Sequence, residues 1–457
     1  MPGGAAPGDH LQTAWQLWLP GHQLGRGAAP WEDPYSFRPE SEPRVNFAAW
    51  PFGLVFGPLD ALFGTVGAWN LFLLLAYLGA GALTFLWLRS VGLGVWAAAI
   101  GGLAFALAPY RVVQAGAGHL LAWTSLLLPL ALWSWERRRY WLAAAALASI
   151  PLSGQVHLAL GAVAFVGAYA LLRGGSRRWL GGAVVATLGA EAMVWALAVR
   201  GSIGEGRSFA QVERYSAHVS DFVSRNPDHG LEAFVFLGWL TPALAVLALV
   251  LQRSRLSLVL GLGAVVPSLL ALGANLPGYE ALWETLPGLG STRVPARFMP
   301  IAALSVAGLA ALALDRVMQH KPWVVPAGAL LLVALDLRLG VTAVRPTPAD
   351  PDNGAYTALA DAGPGRLVEL PLYPPDRQEG SVYLYYAMQA PRERPGGYSS
   401  VAPKAALRTY RALAPCPPRG ELDRLGVRFV TVFGGPGCPA RGVLLARDGP
   451  VASYRRP

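Results

Sequence analysis

Apolar stretches separated by short polar loops fill the chain from Thr65 to Leu335. A membrane-spanning helix needs about 20 apolar residues, and most of the stretches approach that length. A chain with this pattern is expected to be an α-helical polytopic membrane protein with about ten spans, to within one or two. The pair that meets between Pro151 and Gly154 could instead be one broken or re-entrant element. The stretches are Thr65–Leu88, Val95–Ala108, His119–Trp135, Tyr140–Leu152, Val156–Leu172, Leu180–Val199, Leu231–Leu251, Leu256–Leu272, Phe298–Leu314 and Trp323–Leu335.

Cations are concentrated in alternate loops, which predicts the orientation of the spans. Cytoplasmic loops carry an excess of Lys and Arg, and the cation-rich loops contain Arg89, Arg137–Arg139, Arg173, Arg177, Arg178, Arg253, Arg255, Arg316 and Lys321. The intervening loops, at 110–118, 200–230 and 275–297, are poorer in cations and are expected to face outward. The segment before Thr65 and the residues after Leu335 then lie outside as well.

This orientation predicts three regions. Residues 1–64 form an extracytoplasmic first loop with interfacial helices, because its tryptophans suit the headgroup region. Residues 65–342 form the transmembrane domain, and residues 343–457 form an extracytoplasmic α/β domain. The residues after Met1 are neither a signal peptide nor an apolar anchor, so we expect a first helix encoded upstream of Met1. Genomic sequence without an upstream open frame would refute this.

The C-terminal region has the pattern of a small α/β domain. Strands are predicted at 366–372, 382–388, 427–433 and 442–446, and helices at 353–362, 404–413 and 419–425. Cys416 and Cys438, the two cysteines of the chain, both fall here. An outward-facing pair in an oxidising compartment predicts a disulfide, and two free buried thiols are the alternative.

Composition agrees with a membrane protein and excludes other classes. Hydrophobic residues make up 54% of the 457 residues, charged residues 14%, and the mean hydropathy is +0.39. Soluble domains are about 25% charged. The net charge of +10 could suggest a nucleic-acid partner, but the cations lie in short loops between apolar stretches, so none is predicted. Common soluble-enzyme motifs, such as a Gly-rich nucleotide loop, are absent from the sequence.

Three carboxylates in the predicted first outer loop are candidates for chemistry. Asp9 lies near the start of this loop, and Glu32 and Asp33 follow in the same loop. Such carboxylates can deprotonate an acceptor hydroxyl, and Asp9 with Glu32 could hold a divalent cation such as Mg²⁺ or Mn²⁺. The alternative is that all three are solvated loop acids.

Cations and polar residues collect on the same predicted outer side. Arg293 and Arg297 precede an apolar helix, where guanidinium groups can bind a phosphate or extend into lipid headgroups. Other outward residues could frame the same cavity or simply be hydrated; they are Arg111, Gln114, His119, His157, Tyr215, His218, Asp221 and His229. Glu191, in a predicted span, is a further functional candidate because intramembrane carboxylates are costly.

Several ordered motifs give the chain a resemblance to a known family. They are Gly8-Asp9, the segment Gly27-Ala28-Ala29-Pro30-Trp31, Gly118-His119, Tyr215-Ser216-Ala217, the stretch Phe234–Trp239, the run Thr292–Phe298 and Gly397-Tyr398-Ser399-Ser400. Together they resemble the bacterial GT-C membrane glycosyltransferases whose chains end in a periplasmic α/β domain. The resemblance covers nearly the whole chain.

The resemblance implies a reaction and partners. Asp9 matches the catalytic aspartate of that family, a general base, and Glu32 or Asp33 resembles a second acid of the first loop. The implied donor is a polyprenyl-phosphate sugar, the implied acceptor a lipid, polysaccharide or protein of the cell envelope, and the implied location the bacterial cytoplasmic membrane. In that family, transfer usually inverts the sugar. The alternatives are a transporter or lipid flippase, and a non-catalytic protein that displays its C-terminal domain.

Overall fold

The computed structural model describes residues 6–48, 50–286, 288–318, 322–338, 352–414, 416–434 and 442–457. The chain divides into two compact units. The first comprises Met1–Leu71, Val194–Glu205 and Pro346–Pro457, and the second comprises Phe72–Met193 and Gly206–Arg345. The first unit therefore combines segments from both ends of the chain.

Most described residues are helical. The α-helices are α1 (Asp9–Gly25), α2 (Gly53–Ser90), α3 (Val95–Ala106), α4 (Pro109–Gly116), α5 (Leu121–Thr124), α6 (Leu127–Glu136), α7 (Tyr140–Leu152), α8 (Val156–Arg173), α9 (Arg177–Val194), α10 (Phe209–Arg214), α11 (Leu240–Leu251), α12 (Arg255–Ala271), α13 (Tyr279–Thr285), α14 (Met299–Met318), α15 (Val324–Leu337), α16 (Gly354–Asp361), α17 (Gly380–Ala387), α18 (Lys404–Leu413) and α19 (Arg419–Arg424). The strands are β1 (Glu32–Asp33), β2 (Arg44–Val45), β3 (Arg366–Leu370), β4 (Val427–Phe433), β5 (Val443–Asp448) and β6 (Val451–Arg455).

Five helical stretches of the described residues are long and apolar enough to cross a membrane. They are Gly53–Ser90, Val95–Gly116, Val156–Arg173, Arg177–Val199 and Pro295–Met318. Shorter apolar helices lie at Tyr140–Leu152, Leu240–Leu251, Arg255–Ala271 and Val324–Leu337. The chain is therefore a multi-pass membrane protein by its helices, with fewer long helices than the ten predicted stretches.

The element α2 consists of two helical segments that meet at Gly64. Gly64 has a φ of 69° and a ψ of 167°, which are not helical values, and glycine adopts this conformation without the strain a side chain would cause. The second segment therefore begins after Gly64, where the span from Thr65 is predicted, and a further helical segment from Gly53 precedes it.

The stretch predicted at Leu231–Leu251 is helical only from Leu240. Gly238 has a φ of 93°, which breaks the helix on its N-terminal side. The carboxylate of Asp336 then accepts hydrogen bonds from the backbone N–H groups of Trp239, at 2.9 Å, and Leu240, at 2.8 Å. This side chain from α15 satisfies donors that the start of α11 leaves unpaired, and so fixes where that helix begins.

The stretch predicted at His119–Trp135 is also interrupted, as α5 and α6. The Ala122 carbonyl accepts a hydrogen bond from Arg111 Nη2 at 2.6 Å. In a continuous helix this carbonyl would accept from Leu126, whose N–H instead donates to Trp123 O at 3.0 Å. The buried Arg111 thus donates to the carbonyl that lacks its helical partner at the break.

The helix α14 is the core of the second unit. It packs against α3, α8, α11 and α12, and it is buried along nearly its whole length. Small residues permit this close packing: a Cβ at Gly308 would lie 3.1 Å from Leu260 and from Trp87. The turn Pro295–Phe298 leads directly into this helix, so a rigid element fixes the position of the turn.

The sheet of the first unit has the order β3-β4-β6-β5. The strands β3 and β4 are parallel, and β6 pairs antiparallel with both β4 and β5. Apolar side chains from the sheet and from α18 and α19 form its core, among them Val368, Leu370, Leu413, Leu422 and Val430. The predicted strands at 366–372, 427–433 and 442–446 are confirmed as β3, β4 and β5, and the three predicted helices as α16, α18 and α19.

The strand predicted at 382–388 is wrong, because this segment is the helix α17. Its aromatic residues favoured a strand by propensity. In the structure Tyr383, Tyr385 and Tyr386 are all buried, and α17 packs against α1. Tertiary packing therefore overrides the local preference here. The strand β6 was not predicted.

Candidate functional site

Asp9 begins α1, and two side chains from the C-terminal region hold its carboxylate. The Tyr398 hydroxyl donates to Asp9 Oδ1 at 2.6 Å, and Gln378 Nε2 donates to the same oxygen at 3.3 Å. The preceding Gly8 N–H donates to Ser381 Oγ at 3.1 Å. Asp9 is thus an oriented carboxylate in the first turn of a helix, where a negative charge is favourable.

Asp33 has a turn-forming role in the same unit. Its Oδ1 accepts hydrogen bonds from the backbone N–H groups of Tyr35, at 2.9 Å, and Ser36, at 3.2 Å. Its Oδ2 accepts from Trp15 Nε1 at 3.5 Å. Such bonds from an aspartate to the backbone shortly after it stabilise a turn. Glu32 precedes it on β1, paired with Val45 of β2.

The residues that the structure describes contain no group of three or more His, Cys, Asp or Glu side chains that could hold a metal ion. Mg²⁺ takes one or two carboxylates from a protein and keeps several waters, so a site at Asp9 and Glu32 stays a prediction.

Arg297 lies in the turn before α14 and is the centre of a polar network in the second unit. Its Nη2 donates to both carboxylate oxygens of Glu232, at 2.7 and 2.9 Å. Its Nη1 donates to Gln114 Oε1 at 3.2 Å. The hydroxyl of Tyr110, on α4, donates to Ala296 O at 2.7 Å. The network connects α4, the segment before α11 and the start of α14.

His119 also belongs to this network. Its Nδ1 lies 2.7 Å from Gln114 Oε1, and its Nε2 lies 3.8 Å from Glu232 Oε1. The Gln114 amide nitrogen donates to Leu231 O at 3.2 Å, which identifies the oxygen of that amide. Because an amide oxygen only accepts, His119 Nδ1 carries the proton in this arrangement.

Arg293 and Arg207 add positive charge near Arg297. The guanidinium of Arg293 lies 5.6 Å from the centre of the Tyr215 ring. Burial, together with the smaller effects of the Arg293 and Arg297 charges, lowers the pKa of Arg207 to about 10. A group of guanidinium side chains of this kind suits an anion.

Arg111 has a structural environment. Its side chain is buried and donates to Ser125 Oγ at 2.9 Å and to the carbonyls of Phe105, at 3.1 Å, Ala106, at 2.7 Å, and Ala122. Its guanidinium also lies 4.7 Å from the Phe105 ring centre. These contacts occupy the donors that a phosphate would need, so we leave Arg111 out of the anion-binding group.

His218, Asp221 and His229 form a separate cluster in the loop before α11. Asp221 is buried; its Oδ2 accepts from the His218 backbone N–H at 2.7 Å, and its Oδ1 lies 2.8 Å from His229 Nδ1. The two imidazole rings stack with centres 3.9 Å apart. Asp221 thus orients the His229 ring, whose side chain is 41% exposed. The predicted role of His218 and Asp221 in binding substrate stays a prediction.

His157 and Glu191 complete the predicted set. His157 Nε2 lies 3.2 Å from Ser291 O, two residues before Arg293. Glu191 lies on α9, in the candidate span Arg177–Val199. Its Oε2 is buried and has no hydrogen-bond partner among the described residues.

Cys416 takes part in a disulfide. Its predicted partner, Cys438, lies outside the described residues, and the pairing of these two cysteines stays a prediction.

The comparisons identify similar folds among solved structures. The apo oligosaccharyltransferase of Archaeoglobus fulgidus superimposes with a TM-score of 0.52 at 12% identity, covering 93% of this chain and 66% of that one. The archaeal oligosaccharyltransferase AglB of the same organism, in complex with an inhibitory peptide and a dolichol-phosphate, gives a TM-score of 0.45 at 13% identity with the same coverage. The chain thus spans slightly less than two thirds of the length of these proteins. No protein-family model and no curated protein sequence matches it.

The chain has a GT-C-like fold. The superposition on the apo enzyme decides this, and it confirms the fold that the ordered motifs implied. At this identity the likeness concerns the fold alone, and a fold does not fix a function.

Sequence reasoning missed two members of the cationic network and one contact of Asp9. Glu232 lies at the start of the stretch Leu231–Leu251, which the sequence predicts as a span. Arg207 lies in a long loop without a motif. Gln378 lies in an exposed turn of the C-terminal region. Tyr398 belonged to a quoted motif, but no local pattern connected it with Asp9.

Proposed function

We propose that this chain is a GT-C-type glycosyltransferase of the bacterial cytoplasmic membrane. It transfers a sugar from a polyprenyl-phosphate-linked donor to a lipid, polysaccharide or protein acceptor of the cell envelope, at the outer face. The observation that carries the proposal is the oriented Asp9 carboxylate in a chain with this fold. The fold supports the reaction class, and the carboxylate supports a general base.

The chemistry assigns Asp9 the role of base. Its carboxylate accepts the proton of an acceptor hydroxyl while the hydroxyl oxygen forms a bond to the anomeric carbon of the sugar. The bond between that carbon and the phosphate oxygen breaks, and its electron pair leaves with the polyprenyl phosphate. Attack on the face opposite the leaving group inverts the configuration at the anomeric carbon.

The cationic network is assigned to the phosphate. Negative charge develops on the leaving phosphate, and guanidinium groups that are fixed in advance stabilise such charge. Arg293 is the primary candidate, because Arg297 is already paired with Glu232. Tyr215, beneath the Arg293 guanidinium, limits the movement of that side chain.

The disulfide of Cys416 supports the proposed orientation. Structural disulfides persist in oxidising compartments and are rare in the cytosol. An extracytoplasmic C-terminal region agrees with this, and we propose that Tyr398 and Gln378 lie on the same side of the membrane as the reaction.

The decisive experiment replaces Asp9 with asparagine. Asparagine keeps the shape of the side chain but is no base, so we expect a loss of about 10²–10⁴-fold in kcat. Release of the carrier from polyprenyl-phosphate sugars by the purified protein in detergent measures turnover. The matched control is Asp376→Asn, an exposed carboxylate of the same unit, which leaves turnover unchanged. Full activity of Asp9→Asn contradicts the assigned base.

A transporter or flippase is the second candidate, and Glu191 favours it. A partly buried carboxylate in an apolar helix is costly, and such groups often mark an ion or substrate path. Under this alternative, Glu191→Gln abolishes substrate movement in proteoliposomes while Asp9→Asn has no effect. The proposed transferase shows the opposite pattern. A protein that only displays its C-terminal domain tolerates both substitutions.

A further inference from the structure

We infer that Tyr398 is a positioning residue for the proposed base, with Gln378 as a second donor to the same carboxylate oxygen. The C-terminal region then supplies part of the active site. This inference rests on the proposed role of Asp9.

The hydrogen bond from Tyr398 to Asp9 has the length of a charge-assisted bond. An O–H donor bound to a carboxylate lies at about 2.5–2.7 Å, whereas neutral hydroxyl pairs lie at about 2.7–2.8 Å. The observed distance is 2.6 Å. A donor at this distance favours the ionised form of a carboxylate, which is the form that a general base requires.

The same tyrosine is bound to α1 at a second point. Gln12 Nε2 donates to the Tyr398 carbonyl at 2.7 Å. Residues three apart on a helix lie on one face, so Asp9 and Gln12 present a matched pair of groups to Tyr398. One side-chain bond and one backbone bond therefore fix the hydroxyl relative to the first turn of α1.

The backbone that leads to Tyr398 is held on a second side by the N-terminal segment. The Arg394 N–H donates to Tyr35 O at 2.8 Å, Arg38 N–H donates to Arg394 O at 2.7 Å, and Phe37 N–H donates to Gly396 O at 3.2 Å. Next to Tyr398, a Cβ at Gly397 would lie 2.8 Å from the Phe37 ring. This segment is thus paired and closely packed up to the residue before Tyr398.

The chain after Tyr398 is fixed as well, by a hydrogen bond from Ser399 N–H to Pro375 O at 2.7 Å. The second donor, Gln378, follows Pro375 in the same turn of the chain. The two donors to Asp9 are therefore linked through one backbone contact. Their convergence on Oδ1 comes from this local structure of the C-terminal region.

The variant Tyr398→Phe keeps the ring and removes only the donor. We expect kcat to fall about 10-fold to 100-fold, because misplacement of a base by less than an ångström has effects of this size. The KM for the lipid-linked donor stays unchanged. The acid limb of the pH–rate profile moves to higher pH, because the carboxylate has lost a donor that favours its charged form. Gln378→Ala shows the same changes to a smaller extent.

The matched control is Tyr410→Phe, which also removes a hydroxyl from the first unit. Tyr410 packs against the apolar cluster beneath the sheet. A merely structural role of tyrosine hydroxyls would lower the melting temperature in both variants, but it would not move the acid limb. Wild-type kcat and an unmoved acid limb in Tyr398→Phe overturn the inference.

A second measurement does not depend on turnover. The melting temperature of the full chain in detergent is compared for Asp9→Asn, Tyr398→Phe and the double variant. A contact between the two side chains makes the combined decrease smaller than the sum of the single decreases. Additive decreases overturn the inference. Absence of turnover in the unmodified protein refutes the proposed function, whereas turnover that Tyr398→Phe leaves unchanged refutes only the role of Tyr398.

Discussion

Arg394 and Glu369 form an ion pair in the first unit, and neither side chain is accessible to solvent. Arg394 Nη1 lies 3.0 Å from Glu369 Oε1, and its guanidinium lies 5.5 Å from the Trp15 ring centre on α1. Burial raises the pKa of Glu369, and the charge of Arg394 opposes this rise. The pair thus connects β3 with the helix that carries Asp9, so its removal tests the packing that supports the proposed site.

The variant Arg394→Met leaves Glu369 buried without its cation, while the methionine sulfur can still contact Trp15. Removal of one partner of a buried pair costs about 3–5 kcal/mol. An independent estimate comes from protonating Glu369 instead. Its ordinary pKa is 4.5, so neutralisation at pH 7 costs 2.5 units of about 1.36 kcal/mol each, or about 3.4 kcal/mol. The two estimates agree, and for a chain of 457 residues they predict a fall in melting temperature of roughly 3–5 °C.

The pH dependence of the stability of Arg394→Met shows whether the unpaired Glu369 carboxyl causes the loss. In the variant the folded state keeps a proton on Glu369 that the unfolded state releases above pH 4.5, so stability falls as the pH rises. The deficit relative to the wild type therefore shrinks on acidification, by at most about 1.4 kcal/mol per pH unit. The assay is thermal unfolding of the full chain in detergent, followed by tryptophan fluorescence between pH 5 and 8.

The double variant Glu369→Gln/Arg394→Met is the control, because it removes both charges. We expect it to recover most of the lost stability, since no buried ion remains unpaired. A deficit in Arg394→Met that does not change with pH, or a double variant no more stable than the single one, would refute the reasoning.

Three further predictions concern Arg293, the half-buried His22 and the close packing of Gly397 against Phe37. Arg293→Gln raises the KM for the lipid-linked donor about 10-fold to 100-fold, since a hydrogen bond to a charged group contributes about 1.5–3 kcal/mol. The control is Arg214→Gln, because Arg214 is exposed and its guanidinium also lies against the Tyr215 ring. Equal KM values in both variants contradict the assignment of Arg293 to the phosphate. Burial, with a smaller effect of the Arg26 charge, lowers the pKa of His22 to about 4. Below the ordinary value of 6.5 the unfolded state takes up a proton that the folded state does not, so stability falls as the pH drops from 6.5 to 4; melting curves of His22→Gln should lack this part of the acid sensitivity, and identical pH profiles would show otherwise. Gly397→Ala forces the segment before Tyr398 away from Phe37. We expect the free energy of unfolding to fall by about 1–3 kcal/mol, and kcat to fall with it. A variant with wild-type melting temperature and turnover contradicts the described packing.

The sequence by itself determined the class of the protein and much of its secondary structure. Hydrophobic stretches identified the membrane helices, and alternation of apolar residues identified β3 and β4. These properties follow from local periodicity, which a single chain displays without any knowledge of its contacts. Motif order implied the GT-C-like fold and drew attention to Asp9.

Only the tertiary structure decided which side chains contact the site residues that the sequence predicted. Tyr398 meets Asp9 across 389 residues of sequence, and Glu232 meets Arg297 across 65. The same packing made α17 a helix against its β propensity and committed Arg111 to backbone carbonyls. Such pairings depend on how distant segments pack together, and the free energy of that packing is not encoded in any local pattern of residues.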